Sequence, residues 1–140
     1  MFNPSRDQAR QFFFDAWRKQ RMREVLAGLD HVAIGVMLLH PEYHAVLDDP
    51  ERYRDREYRP EAGGTNPFLH MSMHLAIEEQ LSIDQPPGIQ VEFTRIAKRL
   101  GDRHAACHEA MECLAETVWR AQRDGMPPDA PAYLECLKRR

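Results

Sequence analysis

An all-α bundle of about five to six helices around a four-helix core is the fold class this sequence predicts. Three observations predict it. Apolar residues recur at helical spacing along most of the chain, with little of the alternation a strand would show. Helix-start and helix-stop residues punctuate the sequence in the right order: Ser5, Asn66-Pro67, Gly101-Asp102 and Gly125. Between them the connections are short and rich in proline or glycine, as antiparallel neighbours require.

Taken in order, Ser5 caps a first helix through about Arg23, with Phe12, Phe13, Ala16 and Trp17 on its inner side. A second helix from about Val25 to Leu39 places Leu26, Leu29, Ala33 and Val36 near one face. Pro41 interrupts it, because the residue before a proline avoids helical backbone, and a short helical piece resumes over Glu42 to Leu47. Residues 48–65 (DDPERYRDREYRPEAGGT) read as a long polar loop, either a flexible connector or a lid, ending in Gly63-Gly64. Its Arg52, Arg54, Arg56 and Arg59 are interleaved with Asp55 and Glu57, which argues against a nucleic-acid patch. Asn66 then caps, and Pro67 opens, a third helix to about Ser82. A fourth runs from about Ile89 to Leu100 and stops at Gly101. A fifth, capped by Asp102, runs from Arg103 to about Arg123 before Gly125. A turn at Pro127 to Pro131 leads to a last short helix, Ala132 to Lys138.

The chain has 140 residues, 19 Lys and Arg against 22 Asp and Glu, and a net charge of -3. That length suits one helical domain spanning 1–140. The mild acidity argues against a general nucleic-acid binder. The longest apolar run, Val32 to Leu39, is far short of the ~20 residues of a membrane helix, and the N-terminus lacks the shape of a signal peptide. Cys107, Cys113 and Cys136 are odd in number with no CxxC spacing, so they read as reduced thiols in a cytoplasm.

Chemistry points to the histidines. Of the seven, six form pairs spaced i,i+4: His40/His44, His70/His74 and His104/His108. Random placement at this composition would give roughly 0.3 such pairs. Each pair has an acid four residues further on, at Asp48, Glu78 and Glu112. Two imidazoles one helical turn apart can share a metal ion. Counting about 100° per residue from His70, His74 falls near 40°, Ile77 near 340°, Leu81 near 20° and Glu78 near 80°. Counted from His104, His108, Met111, Ala115 and Glu112 fall at the same angles. Both pairs are therefore expected inside the buried stripe, each with an acid at its edge. Buried imidazoles need partners, and a metal satisfies several at once while favouring the neutral ring. The His40/His44 rings are less constrained to converge, because Pro41 lies between them.

The remaining candidates are weaker. His31 reads as a surface residue, and Trp119 and the methionines as core. Cys107 and Cys113 read as small buried hydrophobes, with Cys107 an outside candidate for a ligand. Asp30 is a further candidate from the second helix. The ligand types suit iron, zinc, nickel or copper; six histidines and one or two acids exceed one zinc, so a dinuclear non-haem iron centre is favoured over zinc.

The segments HPEYH (40–44), NPFLHMSMH (66–74), EQ (79–80) and DQPPGI (84–89) resemble a bacterial family known as domain of unknown function 1841. The resemblance implies a small helical cytoplasmic protein of bacterial origin and brings no established activity. The arrangement is also similar to that of hemerythrin-like proteins, by analogy only.

The sequence thus predicts a soluble metal-binding helical bundle. Its expected ligands are His40, His44, His70, His74, Glu78, His104, His108 and Glu112, and its cofactor is a divalent transition metal, iron or zinc. No nucleophile–base pair or phosphate loop names a reaction. Two alternatives stand beside it. One is a non-catalytic helical adaptor with structural histidines and an Arg-rich loop for an acidic partner. The other is a metal-dependent enzyme, which would need a vacant ligand position open to solvent.

Overall fold

The computed structural model describes residues 5–58 and 66–140. Among these residues the chain is all-α, as expected, with eight α-helices and no strand. It divides into two compact units, 1–75 and 76–140.

In the first unit, α1 (Arg6–Arg21) starts where Ser5 predicts it. The Ser5 hydroxyl accepts from the Gln8 amide, and the Gln8 side chain accepts from the Ser5 amide across 3.0 Å, so two unsatisfied donors of the helix end are met reciprocally. The helix buries Phe13, Phe14, Ala16 and Trp17, while Phe12 is only half-buried. Arg10, on the same face, is also buried. Its Nη1 donates to the carbonyls of Tyr53, Arg54 and Arg56 at 3.4, 3.1 and 2.6 Å, and its guanidinium lies 4.8 Å from the Phe68 ring. Carbonyl dipoles and an aromatic face replace the water lost, and burial lowers the Arg10 pKa.

The second helix starts later than the sequence suggested. Gly28 takes a left-handed conformation at φ 57, and α2 (Asp30–Leu38) begins only after it. A 3-10 turn at Pro41–Tyr43 and a one-turn helix α3 (His44–Leu47) follow, as Pro41 requires. The polar segment 48–65 is not loop throughout. Asp49 caps, and Pro50 opens, the single turn α4 (Pro50–Tyr53). Arg59 and Gly63-Gly64 lie outside the described residues. These short pieces raise the helix number above the five to six expected. The core gathers Phe13, Phe14, Trp17, Ile34, Met37, Leu47, Phe68, Met71 and Leu75. Each such side chain is worth ~1.5–3 kcal/mol when fully buried.

The helix α5 (Pro67–Ile83) carries the chain from the first unit's residues to the second's. The Asn66 side chain accepts from the amides of Phe68 and Leu69, confirming the expected cap. In the second unit, α6 (Ile89–Leu100), α7 (Arg103–Asp124) and α8 (Ala130–Lys138) pack pairwise on one another. Gly101 and Gly125 close α6 and α7 in left-handed conformations, φ 67 and φ 62. Asp102 caps α7 and Asp129 caps α8. Ile77, Ile89, Phe93, Ile96, Ala110, Cys113, Tyr133 and Leu137 are buried here. Trp119, read from the sequence as core, is 58% exposed, with the Arg123 guanidinium 4.9 Å from its ring. Among the described residues no helix is long and apolar enough to cross a membrane.

Candidate metal centre

The first unit brings three histidines together. His40 follows the last turn of α2 and is only 2% exposed. Its Nδ1–H donates to the Val36 carbonyl at 2.7 Å. A carbonyl can only accept, so in the neutral ring the proton sits on Nδ1 and the lone pair is presented at Nε2. Metal-binding histidines are commonly oriented in this way, with the second nitrogen donating to a backbone carbonyl. On α5, His74 is equally buried and its Nε2 lies 3.2 Å from the His70 Nε2. Two nitrogens each ~2.0–2.1 Å from a tetrahedral zinc stand about 3.3 Å apart, so this spacing suits ligands of one ion. The His40 ring centroid lies 4.7 Å from His74 and 5.0 Å from His70. Ligand nitrogens of His40 and His74 come within 4.8 Å of each other.

His44 does not join them. The 3-10 turn at Pro41–Tyr43 turns its ring away; Nε2–H donates to the Met37 carbonyl at 2.8 Å and the ring lies 4.5 Å from Trp17. Asp48, the acid after that pair, accepts from the Trp17 indole at 2.7 Å and from Arg21. Those bonds hold its carboxyl below the usual range, led by the Arg21 bond. The geometry adds a residue that sequence reasoning missed: Tyr43 stacks on His40 at 5.3 Å with the planes 6° apart, and burial raises its pKa. Its position three residues after His40, next to His44, was the available signal.

In the second unit, α7 presents His104 and His108 one turn apart. Their ring centroids are 4.4 Å apart, and their ligand nitrogens lie within 4.8 Å of each other. The pair is not inside the buried stripe, as the helical wheel suggested. The buried face of α7 runs through Ala106, Cys107, Ala110, Met111, Cys113 and Thr117, and the histidines border it. Small side chains let neighbouring helices approach closely, so the alanines and Cys113, rather than the imidazoles, set the inward direction. Ala115, expected in the stripe, is exposed.

Both candidate carboxylates are held by arginines. Glu78 receives two bonds from Arg103, at 2.6 and 2.9 Å, and this ion pair raises the Arg103 pKa. Glu112 receives Arg140 Nη1 at 2.6 Å, and the same nitrogen reaches Glu109 at 2.8 Å. Neither arginine was marked by helical spacing. Asp30 is not among the clustered histidines either; it accepts from the Ala27 amide, just before α2, at 3.1 Å and pairs with Lys19 at 3.2 Å.

The cysteines correct another expectation. Cys113 and Cys136 are not reduced thiols but form a disulfide between α7 and α8, with Cα atoms 5.8 Å apart. Their sequence separation of 23 matches no short motif; helix packing alone brings them together. The thiol count therefore no longer speaks for a reducing compartment. Cys107 is the buried hydrophobe expected, and burial together with the nearby Glu78 charge pushes its thiol up to about 11, which disfavours a thiolate ligand.

The structure therefore contains histidine groups that could hold a metal, with acids drawn away to ion pairs. Comparison with curated proteins and with solved structures finds no significant match. The profile described as domain of unknown function (DUF1841) matches residues 5–139, nearly the whole chain, and the protein belongs to that family.

Proposed function

We propose that this protein binds a divalent transition metal ion through neutral imidazoles, offered as a pair by His40 and His74 in the first unit and as a pair by His104 and His108 in the second. The observation that carries this reading is the bond from His40 Nδ1–H to Val36, which orients a buried ring with its Nε2 lone pair presented. Each of the two pairs offers ligand nitrogens within 4.8 Å of one another. His70, 3.2 Å from His74, is the neighbouring imidazole available for exchange with it.

The pattern of ion pairs favours zinc over the dinuclear iron centre expected from ligand counting. A dinuclear centre in a helical bundle draws on several inward carboxylates. Here Glu78 is held by Arg103 and Glu112 by Arg140. Imidazole pairs without a free carboxylate suit zinc better than a carboxylate-bridged iron pair, while copper and nickel share the nitrogen preference.

Elemental analysis of protein purified without an affinity tag tests the reading. The expected result is near-stoichiometric zinc, lost when His74 and His108 are replaced by alanine in protein that keeps its helical circular dichroism. The competing reading, a helical adaptor whose histidines only pack, expects metal-free protein and indifference to both replacements. Crystals grown with metal and scanned at several absorption edges would identify the element and its ligands together.

A further inference from the structure

Resting on the metal reading above, we propose that the Cys113–Cys136 disulfide controls whether Glu112 can serve as a ligand beside His108. The bond and the ion pairs tie together the same two short stretches. Glu112 immediately precedes Cys113 on α7, and Glu109 lies one turn earlier. Arg140 lies four residues after Cys136, just beyond the end of α8. The covalent link between Cα atoms 5.8 Å apart therefore holds the Arg140 guanidinium at Glu112 and Glu109, 2.6 and 2.8 Å away.

Without the link, that local concentration of cation falls. A helix of nine residues is too short to persist by itself, so α8 depends on its attachments. Tyr133 and Leu137 remain buried, and Arg95 still donates to the Leu137 and Lys138 carbonyls. Reduction thus leaves α8 seated by those contacts and removes only the covalent restraint between α7 at Cys113 and α8 at Cys136. The Glu112 side chain is 64% exposed, and its pairing is correspondingly easy to lose. Once released, Glu112 completes a row of His104, His108 and Glu112, each one turn from the next on α7. A carboxylate added to an imidazole site neutralises metal charge and tightens binding.

The disulfide is placed to be reached. Cys113 is fully buried, but Cys136 is half-buried and lines a cavity of about 800 Å³ beside Thr117, Met126 and Ala132. A dithiol reductant supplies the electrons. Its thiolate attacks Cys136 Sγ, forming a mixed disulfide, while Cys113 Sγ departs with the bonding pair and takes a proton. The reductant's second thiol then attacks its own bound sulfur, frees Cys136 as a thiol and leaves as a cyclic disulfide.

The test is zinc affinity, read by competition with a chromophoric chelator, on oxidised protein and on protein reduced and desalted under argon. Reduced protein is expected to bind zinc about tenfold tighter. Arg140→Ala should produce the same gain with the disulfide intact, and Glu112→Gln should erase the gain in both settings. Equal affinities in the two redox states overturn the proposal. So does a gain that survives Glu112→Gln, which would make the freed thiols the ligands. Zinc binding by none of the forms defeats the metal reading itself, and this proposal with it.

Discussion

His40 donates its Nδ1–H to the carbonyl of Val36 across 2.7 Å, one turn back at the end of α2. That bond fixes the tautomer of a ring that is 2% exposed, and so decides which nitrogen can meet an ion. His40→Gln keeps a polar side chain but removes the imidazole. Zinc affinity is expected to fall ten- to a hundredfold in competition titrations. Retention of wild-type affinity by a folded variant would show that His40 is not a ligand.

The redox link between α7 and α8 should also carry stability. In the chain-entropy account, closing a loop of this length is worth about 3 kcal/mol. The Cys113→Ala/Cys136→Ala variant is expected to unfold at lower denaturant, with a loss of unfolding free energy near that value and a slope that rises as the unlinked unfolded chain exposes more surface. Wild-type protein kept reduced should follow the same curve. Coincident oxidised and reduced unfolding curves would count against a stabilising role.

Asp30 supplies a pH signature. Its pKa is lowered, first by the bond from the Ala27 amide and then by Lys19. A carboxylate whose folded pKa lies below the unfolded value contributes stability that is present above the unfolded pKa, here 3.8, and is lost as pH falls through the folded one. Asp30→Asn should cost about 1–2 kcal/mol near pH 7, where the charged bonds are intact. The gap between the variant and wild type should close as the pH drops below about 4. Thermal melts at a series of pH values read both; a gap independent of pH would remove the ionic explanation.

Cys107 should be inert toward alkylation in the native protein. With its thiol pushed up to about 11 from an ordinary 9.0, roughly one molecule in a thousand carries the thiolate at pH 8. Iodoacetamide followed by mass spectrometry should label it slowly at pH 8 and rapidly after denaturation. Fast native labelling would mean that the site opens, because a buried thiol also reacts through local unfolding.

The sequence by itself determined the all-α class and, to within about two residues, the ends of α1, α5, α6 and α7. Ser5, Asn66, Asp102, Gly101 and Gly125 act through bonds and dihedral angles within a few residues, and the structure uses each as read. It also determined that the histidines of each i,i+4 pair on an unbroken helix would be neighbours, because one turn of helix sets that spacing. For His40 and His44 the sequence left convergence open, with both expected as ligands, and the 3-10 turn at Pro41–Tyr43 separates the rings. What needed the tertiary structure was every relationship between distant segments. His40 meets His74 rather than its own partner His44, Arg103 and Arg140 occupy Glu78 and Glu112, and Cys113 bonds Cys136. No local rule encodes those pairings. They depend on which face each helix turns inward, and on α7 that face was chosen by small packing residues rather than by the polar groups that drew the eye in the sequence.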